Sequence, residues 1–219
     1  MDFSSVLLIW PALLKGTLMT LSLTGSVLAI STPAGLAIAL ARNVRSLPLQ
    51  VLMVVVSAVI RGIPPLLLLL IVFFVPGQFG LNIPSFLSAL IGMSLYMSFY
   101  FAEIFRGALL SIDRGQYEAA DVLGLSPLRK FRRIVLPQML PVALPSYVSH
   151  ASALLKNTAL ASAVAVPELT GVAKGLFAVT FRPLETLLVV GAIYAVLSGL
   201  MFLVQFAFER RWALSRARG

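Results

Sequence analysis

Glu118-Ala119-Ala120-Asp121-Val122-Leu123-Gly124, then nine residues, then Ile134-Val135-Leu136-Pro137: this stretch decides how the chain is read. Crossing a bilayer requires none of it. A carboxylate, two alanines and a glycine at this spacing, followed by a basic run and a proline, interrupt a chain that is otherwise apolar. Hydrophobic residues make up 59% of its 219 residues and charged residues 11%, with a mean hydropathy of +0.99. A soluble domain is nearer half apolar and a quarter charged, so this composition predicts a polytopic, all-α membrane protein. Residues 1–219 are expected to form one membrane domain with no room for a separate catalytic module. The absence of cysteine excludes disulfides and thiolate metal sites, and a lone histidine, His150, excludes a multi-histidine metal site within one chain. Met1 to Lys15 lacks a basic n-region, and the apolar run after it is long enough to stay in the membrane, so no cleavable signal peptide is expected.

Outward from that stretch, five segments are long and apolar enough to span a bilayer: 16–40, 47–75, 85–105, 138–166 and 184–208. Basic residues gather on one side of this arrangement. Arg42 and Arg45 follow the first span. Arg106, Arg114, Arg129, Lys130, Arg132 and Arg133 follow the third, and Arg210, Arg211, Arg216 and Arg218 close the chain. The positive-inside rule then places the N-terminus outside, with the 111–133 connection and the C-terminus in the cytoplasm. The net charge of +9 is explained by this topology and calls for no nucleic acid. Trp10 and Trp212 suit interfacial positions at the two ends of the span set.

Local chemistry adds detail. Arg61-Gly62-Ile63-Pro64-Pro65 interrupts the second span, because two prolines remove amide donors and clash with the preceding turn. Broken helix at membrane depth is tolerated where it is buried in protein or lines a watery cavity. A charge near the bilayer centre favours the same setting, although a simple proline kink is the plainer alternative. Residues 111–133 are expected to form two short helices joined at Gly124, which permits a positive-φ turn, with Ser126 as N-cap and Pro127 at the first position of the second helix. Glu103 and Arg106, three residues apart, are placed to form a structural ion pair. Lys156 lies inside the fourth span and needs a carbonyl, a carboxylate or water.

The polar stretch resembles the EAA signature of bacterial ABC importer permeases: E-A-A, three residues, G, nine residues, I-x-L-P. The resemblance runs from about Thr17 to Arg211 and is specific to the polar-amino-acid branch (histidine, glutamine, arginine and opine type). Arg61-Gly62-Ile63-Pro64 is similar to that branch's R-G-T-P, and Phe99 to Gly107 to its A-Y-x-A-E-I-x-R-G. Arg114 to Ala120 matches K-G-Q-x-E-A-A with one basic swap, Leu154 to Leu160 matches L-L-K-D-T-S-L, and Thr180 to Glu185 matches T-F-R-P-x-E. The resemblance implies a type I importer permease fold with a cytoplasmic coupling helix. It implies that Glu118, Ala119, Ala120, Gly124, Ile134, Leu136 and Pro137 form the docking motif for a separate ATPase.

It further implies a periplasmic or lipid-anchored solute-binding protein and a second permease subunit, identical or paralogous. ATP and Mg²⁺ would be bound by the ATPase, since this chain has no G-x-x-x-x-G-K-[ST] loop and no catalytic constellation of its own. The candidate solute pathway comprises Arg61, Gly62, Pro64, Ser149, His150, Lys156, Asn157 and Thr158. Here the chain departs from its branch: Ser149 and His150 stand where asparagine and an acidic residue are common, and Asn157 where aspartate is. His150 and Asn157, seven residues apart, share a helix face. Loss of both carboxylates predicts a preference for neutral or acidic over cationic amino acids. An ion-coupled secondary transporter or a non-transporting signalling platform are the alternatives, although no internal repeat supports the former.

Overall fold

A computed structural model describes residues 4–42 and 46–216, with side chains described over 9–42, 46–177 and 181–210. Every regular element among the described residues is helical. Three helices run unbroken across the membrane: α1 (Ser4–Ala41), whose crossing stretch is Ile9–Ala41, then Ser85–Leu110 and Pro183–Arg216, the last crossing over Pro183–Arg210. Two further spans are bent, bringing the total to five. In the first, α2 (Leu47–Gly62) meets α3 (Pro65–Phe74) and its trailing 3-10 turn at 97°. The long helix Ser85–Leu110 is α4. The connection after it folds as α5 (Arg114–Val122) and α6 (Pro127–Lys130), then passes through a π turn (Phe131–Val135) into α7 (Leu136–Asn157). A 3-10 stretch, Thr158–Val164, leads at a 50° bend into α8 (Leu169–Thr180), and Pro183–Arg216 is α9.

Prolines explain two of these irregularities. Ile63 and Pro64 each precede a proline, which disfavours helical backbone at both, and both are extended (ψ 131° and 134°). The chain therefore turns sharply between α2 and α3. In the π turn, Pro137 has no N–H to offer the carbonyl of Arg133, and Leu136 N donates five residues back to Phe131 O instead. The connection between the fourth and fifth expected spans is largely helical. Glu168 caps α8, accepting from Thr170 N at 2.9 Å and Gly171 N at 2.6 Å, and Leu169 and Ala173 are fully buried beneath it.

The core runs along α4. Met93, Met97, Phe101 and Phe105 pack with Leu23, Val27 and Ala39 of α1 and with Met139, Ala143 and Leu154 of α7. α1 approaches α4 tightly at Gly35, where a Cβ would stand 2.7 Å from Phe101 Cβ and 3.0 Å from Ser98 O. Small residues allow such contacts between membrane helices. Two buried hydroxyls of α1 bond within the helix, Thr24 to Thr20 O and Ser31 to Val27 O, leaving apolar surface outward. Val196, Leu200, Leu203 and Phe206 of α9 are exposed, as a lipid- or subunit-facing helix demands. Trp10 is 43% exposed near the start of α1. Arg45 and Arg218 lie outside the described residues, as do the side chains of Arg211, Trp212 and Arg216.

Candidate functional site

Two sites emerge, one at each end of the sequence argument. The first is the connection α5–α6. Asp113 caps α5 by accepting from Gly115 N at 2.7 Å. The helix ends in a Schellman motif: Gly124 takes φ 62°, Leu125 N donates to Ala120 O, and Gly124 N donates to Asp121 O. Ser126 is the N-cap of α6 with Pro127 at its first position. Lys130 of α6 pairs with Asp121 of α5, clamping the two short helices together. Tyr117 OH donates to Leu109 O at 3.5 Å, tying α5 to the end of α4, and burial pushes the Tyr117 phenol above its ordinary value while nearby Lys130 pulls the other way.

The motif residues divide by direction. Glu118, Ala119 and Gly124 are exposed, whereas Ala120 is fully buried and seats α5 on the body of the protein. Only one of the two alanines is therefore open to a partner. Ile134 and Leu136 are half-buried, and Pro137 is exposed at the first turn of α7. Sequence reasoning passed over Val122, Leu123 and Leu128, which are 88%, 74% and 64% exposed around the Gly124 turn. Bulky apolar side chains beside a left-handed glycine in a polar connection were the signal. Together with Glu118 and Ala119 they make a small surface with an apolar tip and one carboxylate.

The second site lies between α2, α4 and α7. Glu103 of α4 meets three arginines from three places. Arg42 Nη1 donates to Oε1 at 2.5 Å, Arg61 Nη2 to the same oxygen at 3.2 Å, and Arg106 Nε to Oε2 at 3.2 Å. Ser57 Oγ adds a bond to Oε1 at 3.2 Å. The pairing of Glu103 with Arg106 is thus one arm of a larger hub that sequence spacing did not reveal. Glu103 is roughly 10 Å along α4 from its Leu110 end, at 1.5 Å per residue, and Arg42 follows the last residue of α1, so Arg61 sits toward the α5–α6 end of the helices.

From this hub a polar file crosses to α7. The Arg61 guanidinium carbon lies 6.0 Å from the Tyr100 ring centroid, and the Tyr100 hydroxyl donates to Arg61 O at 3.4 Å. Tyr96 donates to Tyr100 at 3.1 Å, and the Tyr100 ring lies 5.5 Å from that of His150. His150 Nδ1 is 2.9 Å from Ser146 O. A carbonyl only accepts, so Nδ1 carries the proton and Nε2 is left to accept when the ring is neutral. Asn157 lines a narrow slot of about 10 Å³ beside Pro65, Leu69, Gly92 and Tyr96.

Arg61, Gly62, Pro64, His150 and Asn157 are thus drawn toward one region. Ser149 and Lys156 occupy the neighbouring, exposed face of α7, and among the described residues Lys156 has no partner. Thr158 is fully buried and donates to Leu155 O at 2.7 Å. No cluster of metal-ligating side chains exists among the described residues.

Comparison with known proteins agrees with this architecture. Residues 31–214 match the family model described as the binding-protein-dependent transport system inner membrane component. The L-cystine transport system permease protein of Bacillus subtilis (strain 168) is 35% identical over 212 residues, covering 92% of this chain and 87% of that protein. The nopaline transport system permease protein of Agrobacterium fabrum is 32% identical over 205 residues, covering 89% and 85%. A crystal structure of an amino acid ABC transporter with histidines superposes at a TM-score of 0.87 with 33% identity, covering 96% of this chain and 99% of that one. An inward-facing methionine ABC transporter, 20% identical, shares the fold at a TM-score of 0.76. The chain belongs to the family of inner membrane components of binding-protein-dependent transport systems, as a multi-pass permease subunit of the ABC importer type.

Proposed function

We propose that this chain imports polar amino acids, neutral or acidic in preference to cationic, by alternating access driven by a separate ATPase. Family membership supports the transport role, and relatives named for L-cystine and nopaline support an amino acid or a close derivative as solute. The observation that carries the preference is the sign of the charge along the file from α2 to α7. Arg61 contributes a cation there, His150 and Asn157 contribute no carboxylate, and the nearby Glu103 is already engaged by three arginines. A cationic side chain would meet repulsion with no free counter-charge, whereas neutral and acidic solutes would not.

The whole chain acts as one permease domain and catalyses nothing itself. The exposed surface of Glu118, Ala119, Val122 and Leu123 docks on the ATPase, which binds ATP and Mg²⁺. A solute-binding protein, periplasmic or lipid-anchored, delivers from the outer side. A second permease subunit, a copy or a paralogue, completes the path, with the N-terminus outside and the C-terminus cytoplasmic. Closure of the ATPase dimer shifts α5 and α6, and the spans open toward the binding protein.

Reconstitution with the ATPase and binding protein encoded beside it tests this. Labelled glutamine, glutamate, histidine and arginine are offered under ATP, with Glu118→Arg as control. Uptake of glutamine or glutamate that resists competition by arginine and lysine, and that is lost in the control, is the expected result. Arginine or lysine competing best overturns the solute preference.

A further inference from the structure

Glu103 is over-subscribed. Three guanidinium groups face one carboxylate, so the hub carries two positive charges more than it neutralises. Each guanidinium has five N–H donors, and Glu103 and Ser57 occupy only a few of them. Arg61 and Arg106 are about a third exposed, so their remaining donors are open to a second anion.

The three arginines are not equivalent. Arg42 holds the shortest bond, 2.5 Å, and is 10% exposed. Arg106 is three residues from Glu103 on the same helix and stays with it whatever the helices do. Arg61 shares its acceptor oxygen with two other donors, bonds at 3.2 Å, and is 36% exposed. It also stands one residue before the end of α2, next to the proline break, and opens onto Tyr100 and His150. If Arg61 swings away, Glu103 keeps Arg42 and Arg106 and stays paired.

We propose that Arg61 is the receptor for the solute's carboxylate: its planar fork exchanges Glu103 for the carboxylate of the passing amino acid and returns to Glu103 when the solute leaves. The exchange rests on the amino-acid reading above and sharpens it. A guanidinium binds a carboxylate through two parallel N–H bonds, geometry that an ammonium lacks. Glu103 serves as the resident carboxylate that keeps Arg61 ordered and its charge compensated between solutes. Neutral and acidic amino acids alike carry the α-carboxylate needed, and a solute without one has nothing to displace Glu103.

The test uses the assembled transporter in proteoliposomes with labelled glutamine, glutamate and histidine, and their α-carboxamides as competitors. Arg61→Gln is expected to raise KM for uptake at least ten-fold while the affinity of the isolated binding protein for the same amino acids is unchanged. Arg61→Lys, which keeps the charge and loses the fork, is expected to raise KM three- to ten-fold with an unaltered melting temperature. It carries the test if Arg61→Gln fails to assemble. Glu168→Ala, outside the hub, is the structural comparator, with a lower melting temperature and KM within two-fold of the parent. The carboxamides are expected not to compete. Either Arg61 variant showing KM within two-fold, with only thermal stability reduced, overturns the exchange and leaves amino-acid import intact. A parent protein that takes up none of the three amino acids overturns both.

Discussion

At the scale of single residues, position decides what a small side chain is for. Gly35 and Gly25 are both glycines of α1, but a Cβ at Gly35 would lie 2.7 Å from Phe101, while nothing stands within 4 Å of one at Gly25. Gly35→Ala is therefore expected to destabilise the protein by about 1–3 kcal/mol through overpacking against α4. Gly25→Ala is expected to be neutral or slightly stabilising, since alanine is the better helix former. Thermal unfolding of the purified protein in detergent measures both, and equal shifts would count against the close α1–α4 approach. Glu118 is the opposite case, exposed and making no contact that the fold needs. Glu118→Arg is expected to reduce ATP-driven uptake more than ten-fold with an unchanged melting temperature, and a matching fall in stability would point to a folding role instead.

At the scale of elements, the termini of short helices set the geometry. The turn between α5 and α6 depends on the left-handed backbone of Gly124. Gly124→Val is expected to cost about 1–2 kcal/mol at that turn. Because α5 and α6 are also clamped by Lys130 and Asp121, the expected result is weakened coupling with the spans intact. ATPase activity stimulated by the loaded binding protein measures it, and full stimulation in the variant would show that the turn tolerates strain. At the other face, α8 hangs on Glu168, fully buried and accepting from Thr170 N, Gly171 N and the Tyr194 hydroxyl at 2.8 Å. Glu168→Ala leaves these donors without their acceptor and is expected to cost about 1–3 kcal/mol. The melting temperature should fall more than for Asp113→Ala, whose cap is exposed and open to water.

At the scale of the whole molecule, topology and charge act together. Basic residues collect at the end that carries α5, α6 and the hub at Glu103, which predicts that this end is cytoplasmic. A fluorescent protein fused to the C-terminus should fold and fluoresce, and alkaline phosphatase at the same place should be inactive. The reverse pattern would invert the proposed direction of transport.

Much of this was legible in the chain itself, for a physical reason that differs from element to element. Hydropathy marks five spans because the bilayer demands some twenty apolar residues whatever the neighbours are. Pro64 and Pro65 break the second span and Gly124 turns the α5–α6 connection because backbone sterics act over one or two residues. The sequence by itself therefore determined the fold class, the broken helix and the turn between α5 and α6. Tertiary structure alone decided which partners meet across helices. Arg42 and Arg61 reach Glu103 from 61 and 42 residues away, and the Tyr100 ring of α4 lies 5.5 Å from that of His150 of α7. It also turned Ala120 inward and left Ala119 out, buried Thr158, and folded 169–180 into a helix against α1 and α9. These outcomes depend on how each helix is rotated and how closely it packs, which the pattern along one strand of sequence does not specify.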